Sequence, residues 1–273
     1  MKLVISIPVH EQPKVVIDQI KNIRYFAPNA VIVLHISKNF NWTEEDEDKT
    51  VFSKLDGVLV NPEQLPTQWG NITQAHHSNF KYALKNYDFD YFAIHASNDL
   101  FVAKGVEEYL KGYDAGVQQF STARDMGWIQ REGADKDNNL SEMMKFVGTD
   151  KILGSQPEGT FYKTEIFNEM LNIIDKFQVY TNVNYCKEEI YYPTLASKIA
   201  GNITIPYLYS SVCRKEITEK IIDNIRQKSL DEPEYEERYG ITYRFYDMKN
   251  LYAVKRINRK INDPMRCYIR DLV

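Results

Sequence analysis

Two stretches of this chain carry carboxylates that could do acid–base chemistry. Glu188 and Glu189 lie at the start of a helix predicted over 186–200, where acids suit the helix dipole and can face a cleft. Glu158 precedes Gly159 in GSQPEGTFY, which predicts a tight turn that presents a polar side chain. The residues alone leave open that the acidic pair is a surface feature that only favours the dipole.

Metal binding is the next chemistry to consider. Asp88 and Asp90 form a D-x-D motif, but they precede a strand predicted over 90–96, and ligands of open sheets bind beyond the carboxyl ends of the strands. Asp99 follows that strand and could hold a metal ion or contact a donor; the alternative is a turn or cap aspartate. The histidines show no zinc spacing.

The C-terminal region supplies positive charge. Residues 248–270 have a helical pattern, and six basic residues are concentrated within 255–270, namely Lys255, Arg256, Arg259, Lys260, Arg266 and Arg270. These cations could neutralise a leaving diphosphate, form a solvated face, or rest on anionic lipid. The chain has no G-x-S-x-G, G-x-G-x-x-G or Walker motif, which argues against hydrolase, dehydrogenase and phosphate-loop NTPase functions.

The elements that must position these residues alternate along the first 110 residues. Apolar runs predict strands over 2–9, 30–36, 57–60 and 90–96, and helical spacing predicts helices over 13–26, 72–86 and 104–111. This alternation predicts an α/β fold with a mostly parallel sheet flanked by helices, and ligand-binding loops after Val9, Ile36, Val60 and Ala96. A further helix is predicted over 164–178.

Composition sets limits on the class of protein. The chain has 273 residues, 43% of them hydrophobic, which suffices for one domain with a full core. A net charge of −4 argues against a nucleic-acid partner. Three widely spaced cysteines, no long apolar span and a short apolar N-terminal run predict a cytoplasmic protein without disulfides or a membrane span.

Seven segments, taken in order, resemble one enzyme family. They read IPVH, VLHISK, QWGNITQAHHSNFKYAL, DYFAIHASNDLFV, GTFYKTEIFNEML, EEIYYPT and LYAVKRI. They are similar to segments of the core-2/I-branching β-1,6-N-acetylglucosaminyltransferases and the related peptide O-xylosyltransferases. The resemblance implies a GT-A-like fold, a UDP-sugar donor, inversion at the transferred sugar, and no metal or other cofactor.

The resemblance also implies roles for single residues. Glu189, at the family's spacing from Thr194, matches the general base, and Lys255 matches the lysine that binds the donor diphosphate, with Arg244 as its candidate partner. Glu188 takes the position of the family's aspartate, and we assign it with Glu158 to the acceptor. Ser37 stands where the family has an acid. The expected donor-binding set is Val9, His10, Ser37, Trp69, Asp99, Arg244 and Lys255.

We therefore predict one glycosyltransferase domain over 1–273, with a nucleotide-binding half over 1–115 and an acceptor and catalytic half over 116–273. The resemblance favours transfer of GlcNAc, then xylose, to a glycan or lipid-linked glycan in bacterial surface polysaccharide synthesis. The basic C-terminal helix suggests peripheral contact with the inner membrane. The alternatives are a metal-dependent GT-A transferase that uses Asp99 and a non-catalytic protein that binds nucleotides or glycans.

Overall fold

The computed structural model describes residues 1–40, 49–121, 129–178, 184–210, 216–229, 235–238, 241–244 and 248–273. The strands are β1 (Leu3–Val9), β2 (Val31–Ile36), β3 (Val58–Val60), β4 (Tyr91–Ile94), β5 (Leu100–Phe101), β6 (Ala115–Gly116), β7 (Phe120–Ser121), β8 (Leu153–Gly154), β9 (Phe161–Lys163), β10 (Ile203–Thr204), β11 (Leu208–Tyr209), β12 (Tyr235–Arg238), β13 (Ile241–Arg244) and β14 (Ala253–Val254). The α-helices are α1 (Pro13–Phe26), α2 (Thr73–Asn86), α3 (Val106–Leu110), α4 (Ile129–Asp135), α5 (Asn138–Val147), α6 (Thr164–Lys176), α7 (Tyr191–Ile199), α8 (Glu219–Gln227) and α9 (Pro264–Arg270). Short 3-10 helices span Lys49–Lys54, Lys187–Glu189 and Met248–Asn250.

The main sheet of the described residues has seven strands in the order β10-β6-β9-β4-β1-β2-β3. β1 pairs in parallel with both β2 and β4, and β2 pairs in parallel with β3. β9 is antiparallel to β4 and β6. The predicted fold class, a mostly parallel sheet flanked by helices, is confirmed.

Alternation along β1 explains why helices cover both faces of this sheet. Leu3, Ile5 and Ile7 are fully buried in one apolar cluster, whereas Val4 packs into a second cluster. Successive side chains of a strand point to opposite faces, so a strand that is apolar throughout needs cover on both sides. The first cluster includes Ile20 of α1, and the second includes residues of α2 and α6.

Two helix predictions in the second half of the chain need correction. The predicted helix over 186–200 is split into the 3-10 helix Lys187–Glu189 and α7, and Pro193 lies in the first turn of α7, where a proline is tolerated. The region 248–270 is not one helix. Its residues 253–254 form β14, which pairs with β11 and β5, and only Pro264–Arg270 are α-helical.

Tertiary contacts also decide where the basic C-terminal residues point. Arg266 is fully buried, and its guanidinium lies 2.6 Å from the Asp18 carboxylate. Arg270 lies 3.6 Å from the same carboxylate. The predicted basic helix face is therefore wrong for these two arginines, because they anchor α9 on α1. No helix in the described part of the chain is long and apolar enough to cross a membrane.

Candidate active site

A cleft of about 720 Å³ opens at the carboxyl ends of the parallel strands. The chain reaches it just after β1, after β4 and after β14, and just before the antiparallel strand β9. Six predicted site residues line it, namely His10, Trp69, Glu158, Glu188, Glu189 and Lys255. The fold thus brings together residues that are far apart in the sequence.

Glu189 lies in this cleft at the end of the short 3-10 helix Lys187–Glu189. Its side chain shares a hydrogen bond with Gln130 of α4, and the Gln130 amide oxygen also accepts from the Cys186 N–H at 2.7 Å. Burial, followed by the negative charges of Glu188 and Glu158, raises the pKa of Glu189 to about 8. Glu189 is therefore a carboxyl that can exchange a proton near neutral pH.

Glu188, which also lines the cleft, is held by a contact with α2. Its side chain is buried and accepts a hydrogen bond of 2.6 Å from the Thr73 hydroxyl at the start of α2. Burial raises the pKa of this carboxyl. Thr194, five residues after Glu189, is also buried, and its hydroxyl accepts from the Leu153 N–H at 3.1 Å. These two contacts hold the segment that carries Glu189 against α2 and β8.

Glu158 and Lys255 form an ion pair inside the cleft, and both side chains are largely buried, with exposed fractions of 15% and 11%. The Gln156 side chain also donates to Glu158. Burial opposes ionisation of Glu158, but the Lys255 charge and the two hydrogen bonds hold its pKa below its usual range. The carboxylate is therefore ionised at neutral pH and neutralises the charge of Lys255.

Gly159 fixes the turn that presents Glu158, as the sequence predicts. Its φ is 77°, and a Cβ at this position would lie 2.2 Å from the Leu208 Cβ and 2.8 Å from the Leu208 N. Only glycine combines this left-handed backbone with so close an approach to β11.

The rim of the cleft carries further cations and one aromatic side chain. Arg256 and Arg259 line it, and the Arg259 Nε lies 2.5 Å from the Glu11 Oε1. Burial, and then the Arg259 charge, lower the pKa of His10, so its ring is neutral at pH 7. Trp69 is 54% exposed, which leaves an open aromatic surface at the cleft.

Three of the predicted donor-binding residues do not line the cleft. Val9 is fully buried in the core as the last residue of β1. Ser37 is buried after β2, where its hydroxyl accepts from the Thr67 N–H at 3.2 Å, so it supports a lining residue. Asp99 is buried and accepts from the Ala96 N–H at 2.7 Å.

The contacts of Asp99 match the alternative interpretation of a turn aspartate. Its carboxylate lies 3.6 Å from the His95 Nδ1, and burial raises its pKa. Asp88 and Asp90 precede β4 and lie at the amino ends of the strands, as predicted, where Asp90 accepts from the Lys2 N–H at 2.6 Å. Among the described residues no group of three or more His, Cys, Asp or Glu side chains could hold a metal ion.

The remaining residues are the predicted Arg244 and several site residues to which the sequence assigns no individual role. Arg244 ends β13, and its side chain lies outside the described residues. Arg256 and Arg259 belong to the basic region that the sequence singles out, but nothing in the sequence connects Gln130 or Thr73 to the site. Thr73 donates a hydrogen bond to Glu188, and Gln130 accepts one from the Cys186 N–H. Only the fold creates these contacts.

Similarity to known proteins is found among solved structures. No protein-family model matches the chain, and no curated protein sequence matches it. The galactosyltransferase LgtC, solved with donor and acceptor sugar analogues, is similar over 100% of this chain and 95% of its own, with a TM-score of 0.49 and 9% identity. S. aureus TarS 1–349 in complex with UDP is similar over 75% of this chain and 57% of its own, with a TM-score of 0.43 and 13% identity. At this level of similarity, function has to be inferred from the residues that line the cleft.

Proposed function

We propose that this chain is a glycosyltransferase that moves a sugar from a UDP-sugar to a glycan acceptor, with Glu189 as the general base. One observation carries the proposal: Glu189, with its raised pKa, shares a cleft at the carboxyl ends of the parallel strands with Lys255. Inverting sugar transfer without a metal ion needs both a proton acceptor and a protein cation for the leaving group, and this cleft has both. The family resemblance of the sequence points to the same two residues.

The proposed reaction is a single displacement with inversion. The acceptor hydroxyl oxygen forms a bond to the anomeric carbon as the bond from that carbon to the phosphate oxygen breaks. Glu189 takes the hydroxyl proton, and UDP leaves with the bonding electron pair. General-base catalysis of this kind contributes about 10²- to 10⁴-fold in rate.

We propose that protein cations, with Lys255 first, stabilise the charge on the leaving diphosphate without a metal ion. Lys255 Nζ is a charged donor in a largely buried site, where charge-assisted hydrogen bonds are strong. Phosphate has to displace Glu158 from Lys255, and the Gln156 side chain remains a hydrogen-bond donor to the released carboxylate. Asp99, the ligand in the metal-dependent alternative, is buried in the turn after β4 and does not line the cleft.

For the donor we propose UDP-GlcNAc first and UDP-xylose second, on the strength of the family resemblance. The exposed face of Trp69 suits a sugar ring or the nucleobase of the donor. Glu158 and Glu188, predicted to bind the acceptor, already have partners in Lys255 and Thr73. In the proposal Glu158 positions Lys255, Glu188 positions Glu189, and the acceptor hydroxyl approaches Glu189 itself.

We propose, as a separate part, that the acceptor is a lipid-linked glycan at the inner membrane. The basic residues from which this contact was predicted do not form one exposed helix, since Lys255 faces the cleft and Arg266 is buried. Sedimentation with anionic liposomes tests it separately: pelleting of the protein supports membrane contact, and its absence removes that part alone.

The test of the proposal compares binding with turnover. Thermal unfolding in the presence of a panel of nucleotide sugars identifies the donor, because a ligand of the folded state raises its stability. With that donor, Glu189→Gln should keep most of the binding and lose about 100-fold or more of the UDP release. Lys255→Ala should weaken UDP binding, and EDTA should leave turnover unchanged.

Three outcomes would contradict the proposal. Full turnover by Glu189→Gln would show that Glu189 is not the general base. Strong inhibition by EDTA that added Mg²⁺ or Mn²⁺ reverses would favour a metal-dependent transferase. Tight binding of a nucleotide sugar with no transfer and no hydrolysis by the wild type would identify a non-catalytic binding protein.

A further inference from the structure

One short segment contributes three cations to the cleft, and two of them already have carboxylate partners. Lys255 pairs with Glu158, and Arg259 lies against Glu11. Arg256 lies between them in the sequence, lines the same cleft and is exposed. Within the part of the chain that the structure describes, Arg256 has no ion pair. It is the cation of this segment that can bind an anion without first losing a protein partner.

The backbone of Arg256 is held in an unfavourable conformation. Its φ is 80°, in the left-handed region that residues other than glycine and asparagine rarely adopt. Both flanks are fixed, since the Lys255 N–H donates to the Tyr209 carbonyl at 2.8 Å and the Asn98 amide donates to the Ile257 carbonyl at 3.3 Å. A glycine at this turn would remove the strain, so an arginine there points to a use for its side chain.

The chemistry of a guanidinium indicates which ligand it takes. A guanidinium binds phosphate oxygens through two parallel N–H donors, and it stays charged at every working pH. A monophosphate offers one phosphoryl group, which Lys255 can bind, whereas a diphosphate offers a second charged group for Arg256, which lines the same cleft. We propose that Arg256 binds the donor diphosphate and makes this cleft select nucleoside diphosphates over monophosphates.

This inference rests on the proposed function, because it names the ligand of the same cleft. Calorimetric titration of the full chain with UDP and with UMP tests it. Wild type should bind UDP more tightly than UMP. Arg256→Gln should weaken UDP binding by about ten- to hundredfold and change UMP binding much less, and Arg256→Lys should keep part of the UDP affinity.

A glycine variant separates the binding role from the structural one. Arg256→Gly removes both the side chain and the backbone strain, so it should raise the temperature of unfolding while it loses UDP affinity. Gln178→Gly is the matched control, because Gln178 also has a positive φ, of 49°, and does not line the cleft. It should raise the unfolding temperature and leave UDP binding unchanged.

The outcomes distinguish this inference from the proposed function. If wild type binds UDP and Arg256→Gly binds it equally well, the role of Arg256 is wrong and the transferase proposal stands. If Arg256→Gln weakens UDP and UMP equally, the arginine does not select the diphosphate and the inference fails. If wild type binds neither nucleotide, the proposed function itself fails and this inference fails with it.

Discussion

Glu189→Gln should change how folding stability depends on pH, because it removes a carboxyl whose pKa is about 8 in the folded protein. An unfolded chain gives glutamate its ordinary pKa of about 4.3. Between these values the folded wild type holds a proton that the unfolded chain has released. Wild-type stability should therefore fall as pH rises through this window, at about 1.4 kcal/mol per pH unit for the one proton.

Glutamine has no proton to release in this range, so the variant lacks this loss. The free energy of unfolding of Glu189→Gln, minus that of wild type, should rise by about 2 to 3 kcal/mol between about pH 5.5 and 7.5, and level off above 8. The same pKa predicts the activity profile. About one Glu189 carboxyl in ten is ionised at pH 7, so wild-type kcat/KM should rise nearly tenfold per unit below that pH and flatten above about 8.

Urea denaturation of both proteins at about pH 5.5, 6.5, 7.5 and 8.5 measures the stability difference. Glu142→Gln is the control, since Glu142 is an exposed acid on α5 that pairs with Lys145. Its difference from wild type should not grow with pH. Parallel stability curves for wild type and Glu189→Gln would refute the argument, because they would show that Glu189 ionises as readily in the folded chain as in the unfolded one.

Three further substitutions test neighbouring contacts. Glu158→Gln removes a negative charge that raises the pKa of Glu189, so the midpoint of kcat/KM against pH should move about one unit lower, and an unmoved midpoint would contradict this coupling. Arg266→Leu leaves the Asp18 carboxylate buried with a weaker partner, which should lower the free energy of unfolding by about 3 kcal/mol; restoration of stability by adding Asp18→Asn is the check. Gly159→Ala should lower the unfolding temperature and reduce turnover together, and a stable, fully active variant would show that the turn tolerates a side chain.

The structure confirms most of the predicted elements in the first half of the chain. β1, β2 and α1 match their predicted ranges to within a residue, because each has a local signal: an unbroken apolar run in the strands, and helical spacing after Pro13 in α1. The sheet follows from their alternation. The same logic fails for 248–270, where pairing of two residues with β5 and β11 overrides a helical pattern.

Single residues also differ in whether a local pattern or a tertiary contact determines their position. The turn at Glu158 and Gly159 is a local feature, and the sequence predicts it. Asp99 follows β4, at the carboxyl end of the parallel strands, yet it is buried in a turn and does not line the cleft. The residues after an apolar strand do not reveal which way a carboxylate points.

By itself, the sequence determined the α/β alternation, the order of motifs along the chain and the acid and base types available for chemistry. All of these depend on residue type and spacing within about one element. Only the tertiary structure decided that Glu158 pairs with Lys255, that Glu189 has a raised pKa beside them, and that Arg256 has no ion pair within the described residues. Burial and charge pairing depend on residues that folding brings from distant parts of the chain, and no local pattern records them.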